Sequence, residues 1–134
     1  KSWTDDAFIP AHGFYIWANS GYTGIGVTPD VTTSQSIADN NGIAFREGPN
    51  DTGTIVDSVA WGDTTNGFGE GIHLAGGLAP NQSYERRALT GNTCVSPVGS
   101  GENLGNACDS GNNALDFELR TTPHPQNASS SLEP

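Results

Sequence analysis

Between Thr54 and Gly62 the chain reads Thr-Ile-Val-Asp-Ser-Val-Ala-Trp-Gly, the best strand signal it contains. Period-two alternation places Ile55, Asp57, Val59 and Trp61 on one face and Val56, Ser58 and Ala60 on the other. Such a run of β-branched and aromatic residues specifies a strand packed on one side, so Val59 and Trp61 are expected in a core. Asp57 shares their face and must either reach solvent or be hydrogen-bonded.

The sequence on both sides of this strand keeps its neighbours short. Glu47 to Gly53 is dense in turn formers, and Asp63 to Pro80 carries Gly67, Gly69, Gly71, Gly76 and Gly77 as punctuation. Further short strands are expected at Gly13–Asn19, at Ser83–Arg87 and at Ala114–Arg120, where Leu115, Phe117 and Leu119 alternate with Asp116, Glu118 and Arg120. Asn41-Gly42 supplies the positive-φ pair of a tight turn before Ile43, so a hairpin is expected there. Abundant Gly, Asn, Thr, Ser and Asp disfavour helix. The expected class is all-β, a sandwich of short strands joined by Gly-rich loops. With 134 residues it forms one domain, 1–127, followed by a Pro- and Ser-rich flexible tail, 128–134.

Charge excludes several partners. The chain holds 15 acidic residues against five Lys and Arg, a formal net charge of −10, so it repels nucleic-acid backbones and anionic membranes. Arg86, Arg87 and Arg120 lie inside strand-like segments and are expected to pair with carboxylates. No apolar run approaches the roughly 20 residues needed to span a bilayer, so no membrane insertion is expected.

Cys94 and Cys108 bracket a Gly- and Asn-rich loop, and a disulfide between them is the expected reading. The alternative, a metal pair, lacks the further ligands and the CxxC spacing that zinc requires. A disulfide points to an extracellular location. Sequons begin at Asn50, Asn81 and Asn127, each a candidate glycosylation site.

The chemistry-bearing residues form no recognisable constellation. His12, His73 and His124 are far apart and match no ligand spacing; they read as turn or surface residues. No nucleophile elbow or phosphate loop is present, and Gly67-Phe68-Gly69-Glu70-Gly71 is followed by no helix signal. Asp57, Asp63, Glu70, Glu85 and Asp116 offer carboxylates of the kind glycoside hydrolysis uses, but 15 acids make a chance pair near certain. The acid- and amide-rich loops at Asp5-Asp6, Asp39 and Asp51 carry hard oxygen ligands for calcium without matching an EF-hand loop. The chain is therefore read as not an enzyme and without a cofactor, with Asp39 and Asp51 as the calcium candidates.

Four landmarks occur in a fixed order: Ile9-Pro10-Ala11-His12-Gly13 with Asn19; Gly53 to Gly62, ending in Trp61-Gly62; Ser83-Tyr84-Glu85-Arg86; and Asp116-Phe117 with Thr122-Pro123-His124-Pro125-Gln126-Asn127. Together they resemble the bacterial extracellular branch of the lamin-tail domain family, over residues 9 to 127. The resemblance implies an immunoglobulin-like β-sandwich in which Glu85, Arg86 and Asp116 are structural, with Arg86 paired to Asp116. Members of that family begin with further strands, one of them Trp-containing, where this sequence has only Lys1 to Phe8, with Trp3 as a remnant. A fragment, a reorganised domain, or strands supplied by another chain each account for that departure.

The functional expectation is a non-catalytic interaction or scaffolding module at the cell surface, acting through a protein partner or self-assembly. The alternative is a subunit of a surface filament or heteromer completed by a donated strand. A third reading, a carbohydrate-binding accessory domain, requires Trp3, Trp17 and Tyr22 to form an aromatic platform, whereas the apolar settings of Trp17 and Trp61 place them in a core.

Overall fold

Turn-forming residues interrupt the sequence so often that each strand pairs with only one neighbour. The computed structural model describes residues 8–24, 26–49 and 51–134. Its strands are Trp17–Asn19 (β1), Val31–Thr33 (β2), Asn41–Glu47 (β3), Thr54–Trp61 (β4), Ser83–Arg86 (β5), Ala88–Thr90 (β6), Thr93–Val95 (β7) and Phe117–Arg120 (β8), with a 3-10 turn at Gly99–Gly101 and a short α-helix, Asn113–Asp116 (α1). The fold is all-β. Among the described residues it comprises four two-stranded sheets, β1–β2, β3–β4, β5–β8 and β6–β7, of which β1–β2 is parallel and the other three are antiparallel.

The β3–β4 hairpin is the largest unit. Ile43 lies opposite Val59 and Phe45 opposite Asp57, and a bulge then shifts the register so that Arg46 faces Ile55. Its turn lies in 48–53, where Gly48 takes a φ of +90° and the Gly53 amide donates to the Pro49 carbonyl at 2.6 Å. The hairpin turn expected at Asn41-Gly42 is not there, because both residues belong to β3. Glycine serves a different purpose at that position: it lets the Asn66 amide approach closely enough to donate to the Gly42 carbonyl at 3.3 Å. A Cβ at Gly42 would meet that amide at 3.0 Å.

The segment Ala114–Arg120 splits into two elements. Asn112 caps α1 by accepting from the Ala114 amide at 3.2 Å, and the Asp116 carboxylate accepts from the Asn112 amide at 3.2 Å. These local side-chain bonds outcompete the alternating pattern for the first half of the segment. Only Phe117–Arg120 remains a strand.

Burial departs from the expected face of β4. Ser58 and Ala60 are buried, while Val59 and Trp61 are half-buried and Ile55 and Val56 are exposed. The small residues are the ones enclosed because loop 69–74 and α1 close tightly over this part of the strand. The Ser58 hydroxyl donates to the Glu70 carboxylate at 3.4 Å, and the Leu74 amide donates to the Ala60 carbonyl at 3.0 Å. The buried apolar set among the described residues is correspondingly small, namely Ala18, Ala60, Leu74, Ala88, Pro97 and Cys108. Ser58, Asn113, Asp116, Arg120 and Glu133 are buried beside it, so hydrogen bonds and a covalent link carry what apolar area does not.

Residues 128–134, expected from composition to be a flexible tail, fold back on the body. The Ala128 amide donates to the Asp30 carboxylate at 3.2 Å, the Asn127 side chain to the Thr28 carbonyl at 2.9 Å, and the Glu133 amide to the His12 carbonyl at 3.1 Å. A local turn closed by Asn127 and Ser130 produces this return, and composition does not register it.

Candidate functional site

Asp57 on β4 and Arg86 on β5 join the two longest antiparallel ladders. The Arg86 Nη2 donates to both Asp57 oxygens at 2.6 Å, its Nη1 donates to the Cys108 carbonyl at 2.7 Å, and its guanidinium lies 4.6 Å from the centre of the Phe117 ring. Arg86 was expected to pair with Asp116. The structure instead gives Asp116 to the neighbouring loop, where it accepts from the Ser110 amide at 3.0 Å and the Ser110 hydroxyl at 2.6 Å. Asp57 is thus hydrogen-bonded and, with its side chain 46 % exposed, also in reach of solvent.

The remaining arginines are also committed. Arg87 pairs with Glu118 at 3.0 Å, Arg120 pairs with Glu85, and Arg46 donates to the Gly53 carbonyl at 2.5 Å while lying 5.6 Å from the Phe68 ring. Replacing Arg86 with methionine keeps the packed stem and removes these polar contacts. Because the Asp57 side chain is 46 % exposed and rehydrates, the expected loss is only about 1–2 kcal/mol, read as a fall of about 5 °C in Tm.

Large apolar side chains flank this ion pair. On the Asp57 face of β3–β4, Phe45 is 59 % and Ile43 50 % exposed. On the Arg86 face of β5–β8, Tyr84 lies opposite Leu119, which is 45 % exposed. These faces carry the residue types of a core, with solvent where a core has a neighbour.

The two edges of the β3–β4 ladder are treated differently. Along β4, fully buried Asn113 takes the place of a strand: its Oδ1 accepts from the Ala60 amide at 3.0 Å and its Nδ2 donates to the Ser58 carbonyl at 3.2 Å. Leu74 continues the cover, accepting from the Gly62 amide at 2.9 Å. Along β3, Asn66 reaches Gly42, and among the described residues nothing bonds the outer edge from Ile43 to Glu47.

The other sequence-derived candidates are dispersed. Cys94 and Cys108 form the expected disulfide, with Cα atoms 5.4 Å apart. Trp61 donates its indole N–H to the Ala38 carbonyl at 2.9 Å, and Gly62 turns with a φ of +65° against Asn40, where a Cβ has no room. Phe117 lies under Arg86, and Glu85 binds Arg120 on the opposite face of its strand. Asp39 and Asp51 are exposed and belong to no group of three acidic, His or Cys side chains among the described residues.

Two such groups do form. One consists of Cys94, Cys108 and Asp116, whose sulfurs are held in the disulfide; the other is Glu70, Asp109 and Asp116, where Asp116 already accepts from Ser110 and Asn112. A broad cleft of about 730 Å³ beside Gly62 carries Asp63 and His73 on its wall. His73 sits 3.1 Å from the Gly62 carbonyl, and no hydrogen bond joins it to Asp63 among the described residues.

Of the sequons, Asn81 stands exposed in a turn with a φ of +63°, Asn127 is occupied by its bond to Thr28, and Asn50 lies outside the described residues. Trp3 and the Asp5-Asp6 pair lie outside them as well. Tyr22 is exposed, whereas Trp17 is half-buried with its indole nitrogen enclosed.

Sequence reasoning missed Asn113 and the exposed pair Ile43 and Phe45. Nothing in the order of residues distinguishes Asn113 from the Asn-rich loops around it, because its partners lie at Ser58, Ala60 and Glu70. Ile43 and Phe45 carried a readable strand pattern, but solvent on their face is a property of the assembled fold. No helix among the described residues is long and apolar enough to cross a membrane. No family model, curated protein or solved structure matches the chain.

Proposed function

We propose that this chain is a non-catalytic interaction module of the extracellular surface, resembling a lamin-tail domain, that works by docking another polypeptide against its β3–β4 and β5–β8 faces. The observation that carries the reading is Phe45 and Ile43 in solvent on a strand with a free edge, beside the Asp57–Arg86 pair. Two-stranded ladders are marginal alone, and a third strand bonds the open edge while covering apolar side chains. The disulfide is compatible with an oxidising compartment. The same free edge favours the alternative form of this reading, a filament or heteromer subunit completed by strand donation, over an aromatic carbohydrate platform, for which Trp17 is too enclosed.

Native mass spectrometry of material purified from its source tests the proposal. The expected result is a stoichiometric complex of this chain with a second polypeptide, dispersed by Phe45→Ser, a substitution at an exposed site that leaves the circular dichroism spectrum and Tm unchanged. A monomer for the native protein, or a complex that survives Phe45→Ser intact, overturns it.

A further inference from the structure

The docking reading leaves open what the occupant is, and the structure bears on its chemistry. Resting on that reading, we infer that the occupant is an extended segment of a different protein, apolar where it lies beside Ile43 and Phe45 and basic in net charge, that adds as a strand along the free edge of β3.

The edge selects the conformation. Asn113 and Leu74 already satisfy the outer groups of β4, so a strand joining this ladder bonds β3. Between Ile43 and Glu47 the outward backbone groups of β3 have no partner among the described residues. An extended segment answers those donors and acceptors in register, and a helix or a loop does not.

Side-chain alternation then dictates half of the occupant's sequence. Every second residue of the added strand lies beside Ile43 and Phe45, and the favourable neighbours there are β-branched or aromatic. The bulge at Phe45 and Arg46 limits the flat part of the edge to the Ile43 side, so a short strand suffices.

Charge sets the net sign of the occupant. Arg46, Arg86, Arg87 and Arg120 are each held by an acceptor or carboxylate of this chain, while Glu47 at the end of β3 and Asp51 in the adjoining turn are exposed. Glu47 shares the face of Ile43 and Phe45, and Asp57, half-exposed on that same face, is already paired with Arg86. The surface meeting the occupant is therefore acidic with no unpaired arginine, on a chain of net charge −10. A second copy of this chain brings the same sign of charge, so self-pairing along β3 is disfavoured, whereas lysine or arginine on the added strand is attracted.

Synthetic peptides test this on the intact, oxidised chain. Fluorescence anisotropy would compare labelled octapeptides alternating valine with lysine, valine with glutamate, and valine with threonine, together with the lysine peptide N-methylated at alternate amides. The lysine peptide is expected to bind on the order of tenfold more tightly than the glutamate peptide, and to weaken as salt rises from 0.05 to 0.5 M. N-methylation is expected to abolish binding because it blocks edge pairing, and Phe45→Ser to weaken it on the order of tenfold.

Equal binding of the lysine, threonine and glutamate peptides overturns the charge assignment and leaves the docking surface standing. Undiminished binding of the N-methylated peptide overturns strand addition. A dimer of the chain alone that Phe45→Ser disperses overturns the different-protein assignment. Failure of every peptide, together with a monomeric native protein, overturns both this inference and the reading it rests on.

Discussion

Asn113→Ala is expected to remove about 4 kcal/mol of stability, the largest effect of any single side chain in the fold. Asn113 is fully buried, and four hydrogen bonds leave its amide: Oδ1 accepts from the Ala60 and Glu70 amides at 3.0 and 3.1 Å, while Nδ2 donates to the Ser58 carbonyl and Glu70 carboxylate at 3.2 and 3.3 Å. Alanine strands two amides and a carbonyl in a space the remaining side chains do not fill. Each buried group left unpaired costs roughly 1–3 kcal/mol. Against a typical total of about 5–15 kcal/mol, that loss moves the urea midpoint down by about 2 M.

Asn113→Asp separates the two halves of the amide. The acceptor contacts remain, but an oxygen replaces the donor facing the Ser58 carbonyl and the Glu70 carboxylate, so like charges meet in an enclosed site. At neutral pH the aspartate variant is expected to be at least as unstable as alanine. An alanine variant that unfolds within about 0.5 M urea of the parent would show that the amide is not what holds β4 to loop 69–74.

Removing the disulfide by Cys94→Ala with Cys108→Ala is expected to cost about 3 kcal/mol, from the freedom returned to the unfolded chain by opening a loop of sequence separation 14. Cys108 adds to this, since it is fully buried and its alanine replacement leaves space beside Asp116. With so few apolar residues enclosed, little else compensates. The measurement is thermal unfolding with and without reductant. The oxidised parent should melt at least about 10 °C above both the reduced parent and the double variant, and the double variant should be insensitive to reductant.

Much of the secondary structure was legible because its causes are local. The alternation from Thr54 to Trp61 specified β4, turn formers around Gly48 specified a break in the chain though the hairpin was expected at Asn41-Gly42, and the Cys94–Cys108 pair specified the staple. The pairing of Arg86, Arg87 and Arg120 with carboxylates was legible in kind, since few cations sit among many acids inside strand-like segments. Which acid each one meets was not. Motif order pointed Arg86 to Asp116, and only the approach of β5 to β4, together with the claim of Ser110 and Asn112 on Asp116, gives it Asp57 instead.

The division follows the range of the forces. Propensity, alternation, turn chemistry and loop closure act over a few to some fifteen residues, and through them the sequence by itself determined an all-β chain of short strands with one covalent clip. Burial and edge pairing depend on what a distant segment brings alongside. Tertiary structure alone decided that the small face of β4 is enclosed while Ile43 and Phe45 meet solvent. It also decided that a side-chain amide from α1 closes one edge of the ladder and leaves β3 open, because Asn113 and Ala60 meet only after the intervening chain has folded back.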